Sequence, residues 1–457
     1  MAIIQGNKKV KGSFPIPSSM SNINNIKTPG KTVENNTFLQ RVFQADYTEK
    51  KEELNPVSTI KNREFGFIPW NKPIMIRHTG FNDIEMVRLY LQKNAPRHVY
   101  SSGAVYKMPE NTSMDEKGYQ GCDLIIDIDV DHFYTPCKED HDIWTCKKCD
   151  KTGKGMIEKC PKCGSLKLET LNWICERCLE RAKEEIIKLL ENFLMNDFNI
   201  PREHIHIAFS GHRGYHLKIE NEKIRTLDSN ERREIVDYVT GHNISFEVLG
   251  LKEIGQNIYG LMHNKFDWSG KIIDKIKEII ENYSDNELRR LLDQFDLHEN
   301  RITSFVNSKD FFYQTISNNN NRNIWNLEGF GLISWRKFLR GIVELIGAEI
   351  DEPVTIDTHR LIRYPGSLHG KTGFEVQELS IEQLYNFHPL KEVDEKLDPI
   401  VFKSKKNTQK IRITAPEVPQ TVIKGEEYGP YWKDEIIELP NHIAIFLLCK
   451  EVALLVE

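Results

Sequence analysis

Two aspartates interrupt a strand-like stretch at residues 123–133, which reads DLIIDIDVDHF. The surrounding isoleucines and valine favour a β-strand, whereas aspartate is depleted in strands because its carboxylate resists burial. Side chains alternate between the two faces of a strand, so Asp127 and Asp129 share a face about 7 Å apart along the backbone. Two divalent ions about 3.5–4 Å apart would relieve their repulsion and could activate a hydroxyl nucleophile and stabilise a departing phosphate. The spacing favours a two-metal site, but an exposed strand that tolerates acids remains an alternative.

Two further segments carry groups suited to binding phosphate. SGHRGYH (210–216) and RLIRYPGSLHGKTG (360–373) combine glycines, which let the backbone approach a ligand, with Arg, His and Lys donors. The first of these could also be an ordinary hairpin with a polar tip. The second resembles a Walker A loop only superficially, because three residues rather than four separate Gly366 from Gly370. A P-loop nucleotidase is therefore disfavoured.

The cysteine content predicts metal binding. Seven of the nine cysteines lie within residues 137–178. Four of them form a CxxC pair followed ten residues later by a second CxxC pair, which is typical of a zinc ribbon: Cys146, Cys149, Cys160 and Cys163. Cys137, Cys175 and Cys178 remain one ligand short of a tetrahedral site, and His141 can complete that set. The alternative is a group of unmetallated surface cysteines, whereas Cys122 and Cys449 are expected to be buried thiols.

The elements that must position these residues can be read from hydrophobic periodicity. HIHIAFS (204–210) and GYHLKIE (214–220) alternate and predict two strands that share a sheet with 123–131. Helices are predicted at 82–93, 174–196 and 334–347, and SDNE (284–287) has the form of a capping box. Paired metals need a third carboxylate, and IDEPVTID (350–357) offers Asp351 and Asp357. Asp351 is expected on a strand beside the strand of Asp127 and Asp129, whereas Asp357 could pair with Arg360 as a structural salt bridge.

The overall composition constrains the setting. The chain has 457 residues and a net charge of −5, so nucleic-acid binding must come from local basic patches. No apolar run is long enough to span a bilayer, and the apolar start is too short for a signal peptide. Clustered cysteines without an export signal favour a reducing, cytoplasmic setting.

Taken together, the segments resemble the catalytic (small) subunit of archaeal and eukaryotic DNA primases. The resemblance covers about residues 38–448, and the matching segments occur in family order: REFGFIPW (63–70), IMIRH (74–78), PRHVYSSGAVY (96–106), LIIDIDVDH (124–132), SGHRGYH (210–216), ERREIVDYV (231–239), IDEPVTIDTHRLIRYPGSLHGKTG (350–373) and ELPNHIAIFLL (438–448).

The resemblance implies an enzyme that synthesises short RNA primers on single-stranded DNA for replication, using nucleoside triphosphates and two catalytic Mg²⁺ or Mn²⁺ ions. It also implies a heterodimer with a primase large subunit, a nucleoid-associated location in the cytoplasm, and structural Zn²⁺, with two zinc ions expected. The implied catalytic metal ligands are Asp127, Asp129 and Asp351. The implied nucleotide-binding residues are Arg77, Ser210, His212, Arg213, His216, Arg363 and His369. His212 stands where some members have arginine, so its phosphate contact would depend on protonation.

The expected fold class is α/β, with a mixed-sheet catalytic core (37–400), an inserted zinc-ribbon module (137–178) and a mainly helical subdomain (225–348). Residues 1–36 are expected to be a disordered extension, and 401–457 a Lys-rich linker (402–412) with a C-terminal helix (441–456). Two other functions are alternatives: a related repair or end-joining primase-polymerase, and a non-catalytic zinc-ribbon protein that binds nucleic acid. The latter leaves the acidic strand unexplained.

Overall fold

The structure is a computed structural model that describes residues 29–50, 54–318, 323–403 and 407–456. Its helices are α1 Pro29–Glu49, α2 Ile84–Asn94, α3 Lys138–His141, α4 Glu176–Leu189, α5 Glu222–Arg225, α6 Ser229–Thr240, α7 Trp268–Asn282, α8 Asp285–Gln294, α9 Glu299–Ser317, α10 Leu332–Ile346, α11 Glu352–Ile356, α12 Ile381–Asn386 and α13 Asn441–Cys449.

The strands lie mostly in small sheets and hairpins. They are β1 Arg63–Ile68, β2 Ile76–Thr79, β3 His98–Tyr106, β4 Tyr119–Cys122, β5 Leu124–Asp129, β6 Ile143–Cys146, β7 Thr152–Lys154, β8 Leu168–Leu171, β9 Ile205–Phe209, β10 Gly214–Ile219, β11 Lys252–Ile254, β12 Asn257–Tyr259, β13 Leu361–Arg363, β14 Glu378–Leu379, β15 Thr408–Ile413, β16 Glu417–Val418, β17 Thr421–Ile423, β18 Glu426–Tyr428, β19 Tyr431–Trp432, β20 Ile436–Pro440 and β21 Ala453–Leu455.

The described residues form two compact units. The helical unit contains Lys188–Asn199 and Asp237–Ala348, and the sheet unit contains the described parts of Asn25–Ile187, Ile200–Val236 and Glu349–Glu457. The helical unit differs from the expected subdomain at 225–348, because it includes Lys188–Asn199 whereas α5 and the first part of α6 belong to the sheet unit.

The helical unit is built around aromatic side chains of α9 and α10. Trp335 and Phe312 are fully buried, with ring centroids 5.0 Å apart. The Ser284 side chain accepts from the backbone of Glu287, and the Glu287 side chain accepts from the backbone of Ser284. The predicted capping box is therefore confirmed at the start of α8.

Two sheets of the sheet unit carry the segments that the sequence singled out. The first has the order β13-β3-β1-β2, with β4 also paired to β3, and the second has the order β14-β9-β10-β5. The second sheet joins the three predicted strands, as expected. Helices and sheets together confirm the α/β class. The expected mixed sheet is wrong, because every strand pair in the described ranges is antiparallel.

The predicted helices are largely present. The segments 82–93 and 334–347 correspond to α2 and α10, and 174–196 corresponds to α4 and a π-helical turn, Leu190–Met195. Among the described residues, no helix combines the length and the apolar character that crossing a bilayer requires.

Three expectations about the ends of the chain need correction. Residues 1–28 lie outside the described residues, but 29–36 were expected to be disordered and instead belong to α1. The expected linker at 402–412 contains β15, because Ile411 and Ile413 are buried on one face while their neighbours Lys410 and Arg412 are exposed. The predicted terminal helix stops at Cys449. Glu451 then takes a left-handed φ of 60° and the chain turns into β21.

Candidate active site

The second sheet places the two aspartates of β5 on one face. Asp127 pairs with His216 and Asp129 with Gly214 of the neighbouring strand β10. Ile126 and Ile128 are buried on the opposite face, while Asp127 and Asp129 are only half-buried. Gly214 is required by the close approach of the strands, because a Cβ there would lie 2.0 Å from the carbonyl oxygen of Ile128. The predicted common face of the two carboxylates is therefore confirmed.

Asp351 lies beside Asp127 although it is far away in sequence. Its backbone N–H donates to the carbonyl oxygen of Asp127 at 2.9 Å. Asp351 precedes the short helix α11 and is not on a strand, so the expected strand at this position is wrong. The proline at position 353 favours a helix start here, because proline lacks the N–H that the first turn leaves unused.

The electrostatics around Asp127 favour a cation. Burial, followed by the charges of Asp129 and Asp351, raises the pKa of the Asp127 carboxyl well above its usual range. His216 Nε2 lies 3.3 Å from Asp127 Oδ1, and His132 Nε2 lies 3.5 Å from Asp351 Oδ2. Burial, with the charges of Arg363 and Arg360, lowers the pKa of His216 to about 3, so its imidazole is neutral. Neighbouring carboxylate oxygens such as those of Asp127, Asp129 and Asp351 are ligands that suit Mg²⁺ or Mn²⁺.

Asp129 also reaches the turn between β9 and β10. Ligand atoms of Asp129, Asp131 and His212 all lie within 4.8 Å of one another, whereas Asp127, Asp129 and Asp351 do not form such a group in the described ranges. Asp129 Oδ1 accepts from the backbone N–H of Asp131 at 2.9 Å. The acids are thus spread along an edge and are not gathered around one point. Ligands that are shared by two ions would be spread in this way.

The turn 210–213 packs against the loop that follows β13. Gly211 has a left-handed φ of +76°, and its carbonyl oxygen accepts from Thr372 Oγ1 at 2.6 Å. Ser210 is buried, and its Oγ accepts from the backbone N–H of His212 at 3.3 Å. The two segments that the sequence singled out for phosphate chemistry therefore meet.

A cluster of buried imidazoles lies where they meet. The rings of His212 and His369 stack at 5.2 Å, and those of His98 and His369 meet edge to face at 5.1 Å. Burial, reinforced by neighbouring cations, holds the pKa of each of the three well below its usual range. His212 is therefore neutral, and any phosphate contact that it makes would use an uncharged N–H.

Two basic side chains border this imidazole cluster. Arg363 Nη1 lies 2.8 Å from His98 Nδ1, and its guanidinium sits over the Tyr100 ring at 5.1 Å. Lys450 Nζ lies 2.8 Å from His212 Nε2 and donates to the carbonyl oxygen of Asn172 at 2.7 Å. Burial, followed by the charges of Arg213 and Lys371, holds the pKa of Lys450 well below its usual range. Neutral N–H donors beside the Arg363 guanidinium form a surface suited to a polyanion such as triphosphate.

Arg213 is bound to acidic side chains inside the protein. Its Nη1 donates to both carboxylate oxygens of Asp142 at 2.9 Å and to the carbonyl oxygen of Trp173, while Nη2 contacts Asp131. Burial lowers the pKa of Arg213 to about 10, so the guanidinium is charged at neutral pH. Its buried Nε has no hydrogen-bond partner among the described residues. The charge of Arg213 is therefore already balanced within the fold.

Arg77 lies on β2 of the first sheet and pairs with an acid. Its Nε donates to Oε1 of the buried Glu64 at 2.9 Å, and Lys117 contacts the other oxygen of Glu64 at 2.8 Å. The Arg77 side chain is 35% exposed, so part of its guanidinium faces solvent.

Two groups of Cys and His side chains converge in the way that the sequence predicted. In the outer group, Cys137, His141, Cys175 and Cys178, the ligand atoms all lie within 4.8 Å of one another. Asp142 Oδ1 lies 2.9 Å from His141 Nδ1, so His141 Nε2 is directed toward the thiols, 3.4 Å from Cys178 Sγ. Such a carboxylate orients a metal-ligating imidazole.

The inner group lies on the sheet β7-β6-β8. It consists of Cys146, Cys149, Cys160 and Cys163. The Sγ atoms of Cys146 and Cys163, and those of Cys149 and Cys160, are 3.6 Å apart. Tetrahedral zinc with Zn–S bonds of about 2.3 Å would place them about 3.8 Å apart. Both groups can therefore hold a metal ion. Cys122 and Cys449 are buried free thiols, as expected.

Several residues of the site were not assigned by the sequence. His98, Asp131, Asp142 and Lys450 all touch predicted site residues. His98 lies in PRHVYSSGAVY (96–106), a segment that resembles the primase family, and Asp131 lies just after the strand of Asp127 and Asp129, but neither residue belongs to a motif that indicates its role. Lys450 is notable in the sequence only because it interrupts an apolar helix.

Comparison with known proteins adds independent findings. A family model of the DNA primase small subunit matches residues 167–381. The chain is 32% identical over 444 residues to the DNA primase small subunit PriS of Methanothrix thermoacetophila, which covers 91% of this chain and 98% of that protein. It is 29% identical over 417 residues to PriS of Nitrosopumilus maritimus (91% and 97%) and 33% identical over 339 residues to PriS of Picrophilus torridus (72% and 77%).

Proposed function

The chain belongs to the DNA primase small subunit family, and we infer from this membership that it is the catalytic subunit of a DNA primase, a nucleotidyltransferase that synthesises RNA primers. The observation that carries the assignment of the active site is the convergence of Asp351 with Asp127 at the edge of β5, beside the buried imidazole and arginine cluster.

We propose that Asp127, Asp129 and Asp351 hold two Mg²⁺ or Mn²⁺ ions. Burial and the neighbouring charges of Asp129 and Asp351 raise the pKa of Asp127, and bound cations would offset both effects, which supports this role. When bound, the ions would lower the pKa of the primer 3′-hydroxyl and neutralise the departing pyrophosphate. His216, neutral and close to Asp127, would orient this carboxylate.

The incoming nucleoside triphosphate is proposed to lie against the imidazole cluster. Arg363 and His369 would bind phosphate oxygens, and His98, whose Nδ1 lies 2.8 Å from Arg363 Nη1, would orient the Arg363 guanidinium. The other proposed nucleotide-binding residues are Arg77, Ser210, His212, Arg213 and His216. Because Arg213 is already paired with Asp142, we propose that it acts mainly by positioning the turn 210–213, with its free Nε as the group left for the nucleotide.

The Cys and His groups are proposed to bind one Zn²⁺ each. In both groups the protein supplies four ligands, so no position is left for a catalytic water and the zinc would be structural. Asp142 connects the outer group to Arg213, which supports a role of this zinc in holding the active-site turn.

The proposed partners are a single-stranded DNA template and a primase large subunit, with which the chain would form a heterodimer at the nucleoid. The two lesser alternatives are a repair or end-joining polymerase and a non-catalytic nucleic-acid-binding protein. The second is disfavoured because it gives no role to Asp127, Asp129 and Asp351 at the edge of β5.

A nucleotide-incorporation assay separates these functions. Purified protein should form oligonucleotides from nucleoside triphosphates on unprimed single-stranded DNA only when Mg²⁺ or Mn²⁺ is present. The matched control is Asp127→Asn with Asp129→Asn, which keeps the side-chain volumes but removes both charges. Extension of pre-formed primers without synthesis on unprimed template would favour the repair polymerase. Template binding without any incorporation would favour the non-catalytic protein.

A further inference from the structure

The module around the inner cysteine group is strongly basic. Residues 147–167 contain two acids, Asp150 and Glu158, and seven exposed lysines: Lys147, Lys148, Lys151, Lys154, Lys159, Lys162 and Lys167. The formal surplus is +5, while the whole chain carries −5. A zinc ion with four thiolates would contribute about −2 and still leave the module positive.

Most of these lysines form no ion pair with the residues that the structure describes. Lys147 lies 3.8 Å from Glu169, and Lys154 lies 2.7 Å from Glu417. The other five form no ion pair within the described ranges: Lys148, Lys151, Lys159, Lys162 and Lys167. A dense set of unpaired cations repels itself, so it is better satisfied by an external polyanion than by solvent alone.

An exposed tryptophan stands next to this basic module. Trp432 of β19 is the cross-strand partner of Glu417 in β16, and 52% of its surface is exposed. Directly opposed residues of an antiparallel pair lie side by side on one face, about 4.5–5.5 Å apart at Cβ. Because Glu417 also holds Lys154, the indole lies at the border of the lysine-rich surface. The antiparallel strand pair β16–β19 fixes its position there.

Lysines bordered by an exposed aromatic ring match the two parts of single-stranded nucleic acid. The ammonium groups suit backbone phosphates, and a flat indole can stack on an unpaired base. The geometry points to the zinc-ribbon lysines and Trp432 as a binding surface for the single-stranded template, separate from the carboxylate edge. This inference rests on the proposed function, which makes single-stranded DNA the template of this protein. An acidic protein partner would use the lysines but has no need of a stacking ring.

The test uses the full-length, zinc-loaded protein and a fluorescein-labelled single-stranded DNA oligonucleotide of mixed sequence. Fluorescence anisotropy gives the dissociation constant at several salt concentrations. We expect Lys148→Glu with Lys151→Glu to weaken binding at least tenfold and to lower the slope of log K against log salt by about 1.4, since each lost phosphate contact removes about 0.7. The matched control, Lys93→Glu with Lys396→Glu, makes the same charge change at two exposed lysines outside the module and should change affinity less than twofold.

Trp432 provides a second, independent variant pair. Trp432→Ala should weaken binding about 5- to 160-fold, the range expected for one lost stacking contact, whereas Trp432→Phe should keep most of the affinity. The inference is overturned if the Lys148/Lys151 and Lys93/Lys396 variants bind alike, or if Trp432→Ala binds like the wild type. Failure of the proposed function would appear differently, as absence of metal-dependent incorporation by the wild-type protein.

Discussion

The backbone N–H of Asp351 donates a 2.9 Å hydrogen bond to the carbonyl oxygen of Asp127. This single bond joins two segments more than 200 residues apart and brings a third carboxylate to the edge of β5. The competing candidate, Asp357, lies at the other end of α11, where its Oδ1 accepts from the backbone N–H of His359 at 2.9 Å. The described residues contain no ion pair between the side chains of Asp357 and Arg360.

The first prediction distinguishes these two aspartates. Asp351→Asn should abolish nucleotide addition, because removal of a metal-ligand charge costs several kcal/mol of transition-state stabilisation. Asp357→Asn should retain addition, since asparagine keeps the oxygen that His359 contacts. Metal-dependent incorporation rates of the two variants provide the measurement. An active Asp351 variant together with an inactive Asp357 variant would show that the third ligand is misassigned.

The second prediction concerns metal content. Elemental analysis should find two zinc ions per chain. Cys146→Ser with Cys149→Ser should remove one zinc ion and keep most incorporation at saturating template. The reason is that Asp142 connects Arg213 to His141 of the outer group and not to the ligands of the inner group. Cys175→Ser with Cys178→Ser should remove the other and lower activity strongly. Loss of both zinc ions from the first variant would mean that the two groups form a single unit.

The third prediction concerns Arg213. Arg213→Gln should lower the free energy of unfolding by about 3–5 kcal/mol, because the buried Asp142 carboxylate loses its cation. Arg233→Gln is the matched control, since Arg233 pairs with Glu352 at the surface, where such a pair contributes about 0–1 kcal/mol. Urea unfolding followed by circular dichroism measures both. Equal midpoints for the two variants would contradict a structural role of Arg213.

The fourth prediction concerns the pH dependence of stability. His98 Nδ1 accepts from the backbone N–H of Gly370 at 3.2 Å and faces Arg363, and burial holds the pKa of His98 well below its usual range. Below about pH 6.5 His98 becomes protonated in the unfolded chain but stays neutral in the folded chain. The free energy of unfolding therefore falls as the pH is lowered.

Replacement of His98 should remove this contribution. Between about pH 6.5 and 5.5 the free energy of unfolding of His98→Asn should depend less on pH than that of the wild type. The two slopes should differ by at most about 1.4 kcal/mol per pH unit. Urea titrations at each pH provide the measurement, with the exposed His242→Asn as the control for histidine replacement. Identical slopes for wild type and His98→Asn would show that folding does not lower the pKa of His98.

Local patterns predicted the parts of the site that depend on one segment. The alternation in 123–131 and 214–220 predicted polar faces that carry Asp127, Asp129 and His216, and CxxC spacing identified the inner cysteine group and the Cys175–Cys178 half of the outer group. The capping box at Ser284 is likewise a property of four neighbouring residues. The strand faces and the capping box follow from local backbone geometry. The outer group also needs Cys137 and His141, which were assigned because the three remaining cysteines were one ligand short of a tetrahedral site.

Parts that depend on distant pairing could not be predicted. Nothing local indicates that β13 pairs with β3, and this pairing is what brings Arg363 to His98. Lys450 reaches His212 because α13 packs in the sheet unit, which a single helix pattern does not reveal. The lysines of 402–412 suggested a linker, but two buried isoleucines outweigh them in β15.

The path of the chain through the inner cysteine group has a consequence for protein engineering. The strand that enters the group, β6, and the strand that leaves it, β8, are paired, with Ile143 opposite Leu171. A two-residue turn between such neighbours would close the gap without moving either end. The ribbon should thus behave as an exchangeable cassette, open to deletion or to replacement by a foreign hairpin, while Cys137, His141, Cys175 and Cys178 stay in place on either side of the splice.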